Sequence, residues 1–353
     1  MRMYTDPRGE AYRQVIDLAV RNSERFVLGE KGRFPADGGW RRYNPILEAL
    51  EPYLVETIKL PGSNREEIRQ MMETYSSAFY TEGTYYIYAC CEESGAVLKQ
   101  AANRLSDWVY PDLPEDLCFL REGGGDYLYS VVHEDTYGMD ITEEEAVVLM
   151  ERITGLFLEL EAHRDLDCLL EDAIKHQTDR LYVSGHRLTE LPERIRELTE
   201  LRDLEIFEQD LYQLPEGVFE LSKLERLRIM TADLEGLPAS IGKLKNLREL
   251  SISCGSSDRP APGWRPKPKE EIGLDRIPPE IGELKQLEQL TIQYSSIQEL
   301  PAELEKLKNL RSLDLGSSMI KHKPDFLFRM HKLESIHVAQ QAYWSEETGD
   351  EME

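Results

Sequence analysis

From Leu181 onward the sequence repeats every 23 residues, and this period restricts the fold more than any other feature. Leu201, Leu224 and Leu247 are 23 apart, as are Leu287, Leu310 and Leu333. Proline keeps the same beat at Pro192, Pro215 and Pro238, then at Pro278, Pro301 and Pro324. The interval from Pro238 to Pro278 is 40, one period plus an insertion of 17. A fixed period of this length marks a solenoid of stacked units, which presents an extended surface to a partner more often than a pocket to a substrate.

The unit LERLRIMTADLEGLPASIGKLKN, starting at Leu224, shows how each repeat is built. Leu227 and Ile229 alternate with Arg226, Arg228 and Met230, the two-residue period of a strand with one buried face. Leu234 and Leu237 carry the chain round a turn, and Pro238 pre-sets φ and stops the strand from continuing. Ile241 and Leu244 return along the far side at helix-like spacing. No unit can bury its leucines alone; its neighbours bury them.

The recurring LPxxIGxLxxL pattern, as in SIGKLKNLREL (240–250) and EIGELKQLEQL (280–290), resembles leucine-rich repeat proteins of the 23-residue type. The resemblance covers about half the chain. It implies an α/β leucine-rich repeat solenoid, a curved horseshoe whose concave side is a parallel sheet and usually a protein-binding surface. The segment LEDAIKHQTDRLYVSGHRLTELP (170–192) looks like the opening of such an array, with a capping helix before the first strand. The family places Asn or Cys at a turn position where the side chain bonds backbone groups. That position holds His186, Gln209, Ala232, Gly255, Ser295 and Ser318 here, so local irregularity is expected at the third and fourth repeats.

Outward-pointing strand residues fall into columns across such a sheet, with neighbours about 4.8 Å apart. The first column is Arg180, Asp203, Arg226, Glu249, Gln289, Ser312 and Ser335. The second is Tyr182, Glu205, Arg228, Ser251, Thr291, Asp314 and His337; the third is Ser184, Phe207, Met230, Ser253, Gln293, Gly316 and Ala339. The alternating signs of the first column read either as a self-paired, solvated ladder or as a polar rim around an apolar contact. In the second reading Phe207 and Met230, flanked by Arg228, Glu205 and Tyr182, have the chemistry of an interface hot spot. The insertion at 256–273 carries Trp264 among basic residues and alternating prolines, which favour an extended loop. It reads either as a mobile loop tethered to its own acidic surface or as a flap beside the concave face, anchored by Trp264. The partner-binding candidates are therefore Tyr182, Glu205, Phe207, Arg228, Met230, Trp264 and Tyr294.

Residues 1–162 show no repeat and read as a small α+β domain, helices over a mostly antiparallel sheet. Expected helices span 8–23, 45–51 and 96–108, and a Thr142/Glu145 capping box starts another that runs to about Leu160. Expected strands are 25–28, 53–60 and 85–91, and a hairpin formed by 117–121 and 127–133 turns at Gly123-Gly124-Gly125-Asp126. YTDPRGEAY (4–12), PYLVE (52–56), YPDLPEDLCFL and SVVHED (110–135) resemble an uncharacterised domain of Firmicute bacteria, some of whose members carry a sporulation-related name. That resemblance implies no chemistry. Residues 163–177 read as the capping helix, with Leu166, Leu169, Leu170 and Ile174 facing the array. The array spans 178–340, and 341–353 form an acidic tail expected to be disordered.

Acidic residues outnumber basic ones 67 to 42, for a net charge of −25. This argues against nucleic acid or an anionic membrane as a partner and is compatible with a basic protein. The opening lacks the apolar core of a signal peptide, and no apolar run approaches a membrane span. Five scattered cysteines fit reduced thiols in a cytoplasm. His133-Glu134-Asp135 is the strongest acidic–histidine cluster, but side chains of consecutive residues diverge from a strand end. No metal, cofactor or catalytic set is expected. The sequence reads as a monomeric, cytoplasmic, non-catalytic interaction protein of immunity or regulatory type; the alternative is an N-terminal enzyme targeted by the repeats.

Overall fold

In the computed structural model, residues 1–31, 44–62, 65–232, 234–254, 271–321 and 323–338 are described. Trp264, most of the 256–273 insertion, Gly255, Ala339 and the 341–353 tail lie outside them. The chain divides into two units, Met1–His163 and Arg164–Glu353.

The first unit is built on a six-stranded antiparallel sheet. Its strands are β1 (Arg25–Lys31), β2 (Leu54–Leu60), β3 (Gly83–Ala89), β4 (Glu115–Leu120), β5 (Asp126–Val131) and β6 (Thr136–Met139), in the order β2-β3-β1-β4-β5-β6. The helices are α1 (Glu10–Asn22), α2 (Asn44–Leu50), α3 (Arg65–Thr74), α4 (Glu92–Ala101) and α5 (Glu143–Arg152). Strand alternation gives the sheet two apolar faces. Phe26 stacks on Tyr88 at 5.1 Å between ring centroids. On the opposite face Val27, Ile87, Cys118, Leu60, Phe79 and Tyr85 form a core onto which Ile68 and Met71 of α3 pack. A buried hydrogen-bond chain ties the helices together: Trp108 Nε1 donates to Tyr12 Oη (3.0 Å), which donates to the Leu98 carbonyl (3.2 Å).

Local competition moved two helix boundaries. The helix expected over 96–108 is α4, which starts earlier because the Cys91 side chain caps it in a box with Ser94. It stops at Ala101; beyond it the buried Asp6 carboxylate takes the Leu105 amide (2.9 Å) and the Ser106 hydroxyl (2.6 Å). The Thr142/Glu145 capping box forms as expected, but α5 ends at Arg152, with Ile153 extended and Gly155 left-handed at φ 93°. Two elements were not anticipated: α3, whose apolar stripe is thin, and the four-residue β6.

The second unit opens with α6 (Leu166–Lys175), capped by the Asp165 carboxylate. Leu169, Leu170 and Ala173 are its buried residues; Leu166 and Ile174 are only half-buried. Seven parallel strands follow: β7 (Arg180–Ser184), β8 (Asp203–Phe207), β9 (Arg226–Met230), β10 (Glu249–Ser253), β11 (Gln289–Gln293), β12 (Ser312–Leu315) and β13 (Ser335–Val338). Equivalent positions pair without slippage, so Arg180, Asp203, Arg226, Glu249, Gln289, Ser312 and Ser335 form one row. Leu181, Leu204, Leu227, Leu250, Leu290 and Leu313 are fully buried behind it.

Each repeat returns through one 3₁₀ turn, as at Glu193–Glu197 and Ala239–Lys243, with a proline immediately before it. The glycine of the IG pair has a packing reason. A Cβ on Gly282 would stand 2.7 Å from the Glu303 carbonyl oxygen, and one on Gly242 3.0 Å from that of Glu280. At these two turns a side chain would force the neighbouring turn outward.

The strands of the third and fourth repeats, β9 and β10, pair over their full length; Asp233 and 255–270, in the turns where irregularity is expected, lie outside the described residues. Residues beside the expected turn position satisfy the backbone instead. The buried Glu208 carboxylate accepts from the His186 (2.7 Å) and Leu188 (3.3 Å) amides. Thr231 Oγ1 donates to the Gln209 (3.2 Å) and Leu211 (2.5 Å) carbonyls, and Ser296 Oγ to those of Ile272 (2.7 Å) and Leu274 (3.2 Å). The Ala232 amide is taken by the Gln209 carbonyl at 2.9 Å. Ser295 and Ser318, at the expected position itself, are buried with hydroxyls that bond nothing among the described residues.

Candidate protein-binding face

The outward columns of β7–β10 form one closed charge network. Arg180 Nη2 donates to Glu205 Oε1 (3.1 Å) and its Nε stands 3.7 Å from Asp203. Arg226 bridges Asp203 (2.7 Å) and Glu249 (3.1 Å); Arg228 bridges Glu249 (2.8 Å) and Glu205 (3.4 Å). Burial alone would lower the Arg228 pKa; the Glu249 hydrogen bond and the charges of Glu249, Glu205 and Asp203 outweigh it, so the guanidinium is held even more firmly charged. Every cation has two carboxylates, and recruiting one for another purpose breaks an existing pair. Across all columns three arginines meet four carboxylates, so this face is near neutral in a chain of net charge −25.

Phe207 and Met230 sit in register beside that network, Phe207 36% exposed and Met230 half-buried. Ser184 and Ser253 flank them in the same row. Tyr182 is half-buried and in register with Glu205. The sheet therefore brings Tyr182, Glu205, Phe207, Arg228 and Met230 onto one face. Tyr294 is elsewhere: it lies in the turn after β11 at φ 54° and its amide donates to the Gly316 carbonyl (3.2 Å).

The family model for the leucine-rich repeat region matches residues 180–261. Over those residues the second unit matches a leucine-rich repeat region. Among solved structures, the leucine-rich repeat domain of the type III effector XopL is 26% identical with a TM-score of 0.42, covering 52% of this chain and 60% of that one. A leucine-rich repeat protein of Leptospira interrogans is 22% identical with a TM-score of 0.30, covering 48% and 52%. The ectodomain of the Arabidopsis receptor kinase HAESA, solved with a peptide hormone, is 22% identical with a TM-score of 0.34, covering 43% and 24%. The chain thus spans less than two thirds of each of these solved chains. A comparison with curated proteins returns no match.

The far end of the array's sheet uses different chemistry. Asp314 accepts from Gln293 Nε2 (2.8 Å), the Gly316 amide (2.8 Å) and His337 Nδ1 (2.9 Å). The charge network was anticipated only as a column. Its sequence signal is the opposite charge recurring one period away, as in Arg180/Asp203 and Glu205/Arg228. A second such series runs through Arg202–Glu225, Arg248–Glu288 and Arg311–Glu334, each joined as a pair.

In the first unit His133, Glu134 and Asp135 do not converge. His133 Nε2 meets Glu115 Oε1 at 3.2 Å, whereas Asp135, left-handed at φ 50°, accepts from Tyr137 Oη (3.1 Å). Burial pushes the Cys90 thiol up to about 12, aided by Cys91 and Glu24, which leaves it a poor nucleophile. Cys91 is occupied as a helix cap. No helix among the described residues is long and apolar enough to cross a membrane.

Proposed function

We propose that the chain is a non-catalytic interaction protein that binds a protein partner through the outward face of β7–β10. The observation that carries this reading is the Phe207–Met230 pair: apolar surface left open beside a charge network in which each arginine is already shared by two carboxylates. The charges bond one another, so they fix the rim, and the desolvation energy of contact falls to the apolar pair and Tyr182. A near-neutral face favours a partner that supplies an apolar anchor there. The chain's acidic excess lies elsewhere, where a basic part of the same partner would meet it. The protein acts by occupancy, covering the partner's surface, which is the mode of an immunity or regulatory protein. It works as a monomer in the cytoplasm, where its five free cysteines stay reduced.

The test is affinity capture from the native host with wild-type protein and with F207A/M230A. A partner retained by the first and lost by the second supports the reading. Equal recovery by both, or recovery of no specific protein, sinks it.

A further inference from the structure

The N-terminal unit contains a cavity of about 680 Å³ lined by Gly62, Arg65, Ile68, Arg69, Met72, Tyr80, Thr81 and Glu82. The volume falls within the roughly 300–1,000 Å³ of small-molecule sites. Arg65 and Arg69 are four residues apart on α3, hence on one face of that helix. Arg69 pairs with Glu66 at 2.7 Å, both exposed to solvent, and also feels the charge of Glu73, whereas Arg65 has no partner among the described residues. Ile68 and Met72 supply apolar lining beside them. Glu82, the acid of the lining, has an interaction of its own.

One wall of this cavity is tied to an unusual buried group. The Tyr80 hydroxyl donates to Asp116 Oδ2 (2.9 Å), the oxygen that also accepts from Lys31 Nζ (2.6 Å). The Lys31 and Asp116 side chains are 3% and 0% exposed, and Lys31 Nζ stands 4.1 Å from the centroid of the Tyr80 ring. Asp116 is left-handed at φ 56° and is held by a third hydrogen bond, from the Val132 amide to Oδ1 (2.7 Å). A buried ion pair is a weak source of stability, and strained non-glycine backbone gathers at functional sites. Burial and then Asp116 raise the Tyr80 pKa, which keeps the phenol protonated. Asp116 neutralises Lys31, so the unpaired positive charge at the cavity is that of Arg65, with Arg69 reaching an anion by exchanging its exposed bond to Glu66.

We infer that this cavity binds a small anion carrying an apolar body, with Arg65 and Arg69 on the anionic head and Ile68, Met72 and the Tyr80 ring on the body. An aryl phosphate and an aryl carboxylate share that chemistry. The test is calorimetric titration of the full chain with phenyl phosphate, benzoate and neutral phenol, repeated on R65A/R69A. Both arginines are exposed, so the variant should keep the wild-type melting temperature to within about 2 °C. The expected result is binding of at least one anion, about tenfold or more tighter than phenol, and weakened about tenfold or more in R65A/R69A. The preferred anion identifies the head group. Binding of neither anion, phenol binding as tightly, or undiminished binding by the variant overturns the inference. F207A/M230A should titrate like wild type, which separates this site from the partner-binding face.

Discussion

The first four strands of the array and the last three share a core but not a surface. Behind β9 and β12, Leu227 and Leu313 are both fully buried, and the register passes unbroken across the sheet. In front, β7–β10 present three arginines interlocked with three carboxylates beside Phe207 and Met230. The β11–β13 end presents Thr291, Gln293 and Asp314, with Asp314 bonded by Gln293, the Gly316 amide and His337. The difference teaches which residues specify the fold and which are free for recognition. Inward leucines cannot vary without leaving cavities. Outward charges contribute little individually, so the same backbone carries two unlike faces.

The largest expected effect tests the shared half of this comparison. L227A and L313A should each cost about 2–5 kcal/mol in urea unfolding, by similar amounts, because each empties an equivalent buried site. A large cost for one and a negligible cost for the other would mean that the two ends are packed differently after all. Next comes binding. F207A/M230A should lose about 2 kcal/mol of partner affinity, roughly thirtyfold, whereas T291A/Q293A at the far end should change it by less than about twofold. Equal losses would erase the functional distinction between the ends.

The charge network predicts a smaller effect. R228A removes a cation shared by Glu205 and Glu249 and should destabilise the array by about 1 kcal/mol, less in high salt because the pairs are partly exposed. D314N, whose partners include Gln293 and a backbone amide, should show weaker salt dependence; matching salt curves would contradict the account. The smallest effect is on the 3₁₀ turns. Ser240 and then Lys243 hold the Glu216 carboxyl below its ordinary value. A lowered folded pKa gives stability that is present above the unfolded value near 4.5 and is lost as pH falls through the folded one. E216Q should therefore lower the melting temperature by about 1 °C at pH 7 and by less at pH 3. A larger deficit at pH 3 has the wrong sign.

Much of this was legible because the period places equivalent residues side by side. Once Leu204, Leu227 and Leu250 are aligned, the columns follow, and with them the adjacency of Phe207 and Met230. What the period hides is substitution between neighbouring positions. Glu208, Thr231 and Ser296 do the turn-bonding work expected of the residues beside them, because a long or branched side chain reaches the same carbonyls and amides from one position away. Diagonal bonds such as Arg228–Glu249 were also hidden, since a column reading sees only lateral neighbours. In the first unit no repeat assists. The Lys31–Asp116–Tyr80 cluster joins residues 36–85 positions apart, a proximity that only the folded sheet reveals.

The central claim is that recognition belongs to the first four strands. Hydrogen exchange on the captured complex tests it directly. The account predicts partner-induced protection over β7–β10, 180–184 through 249–253, that is absent in F207A/M230A. Protection confined to β11–β13, or to the 3₁₀ turns on the other side of the array, would contradict it.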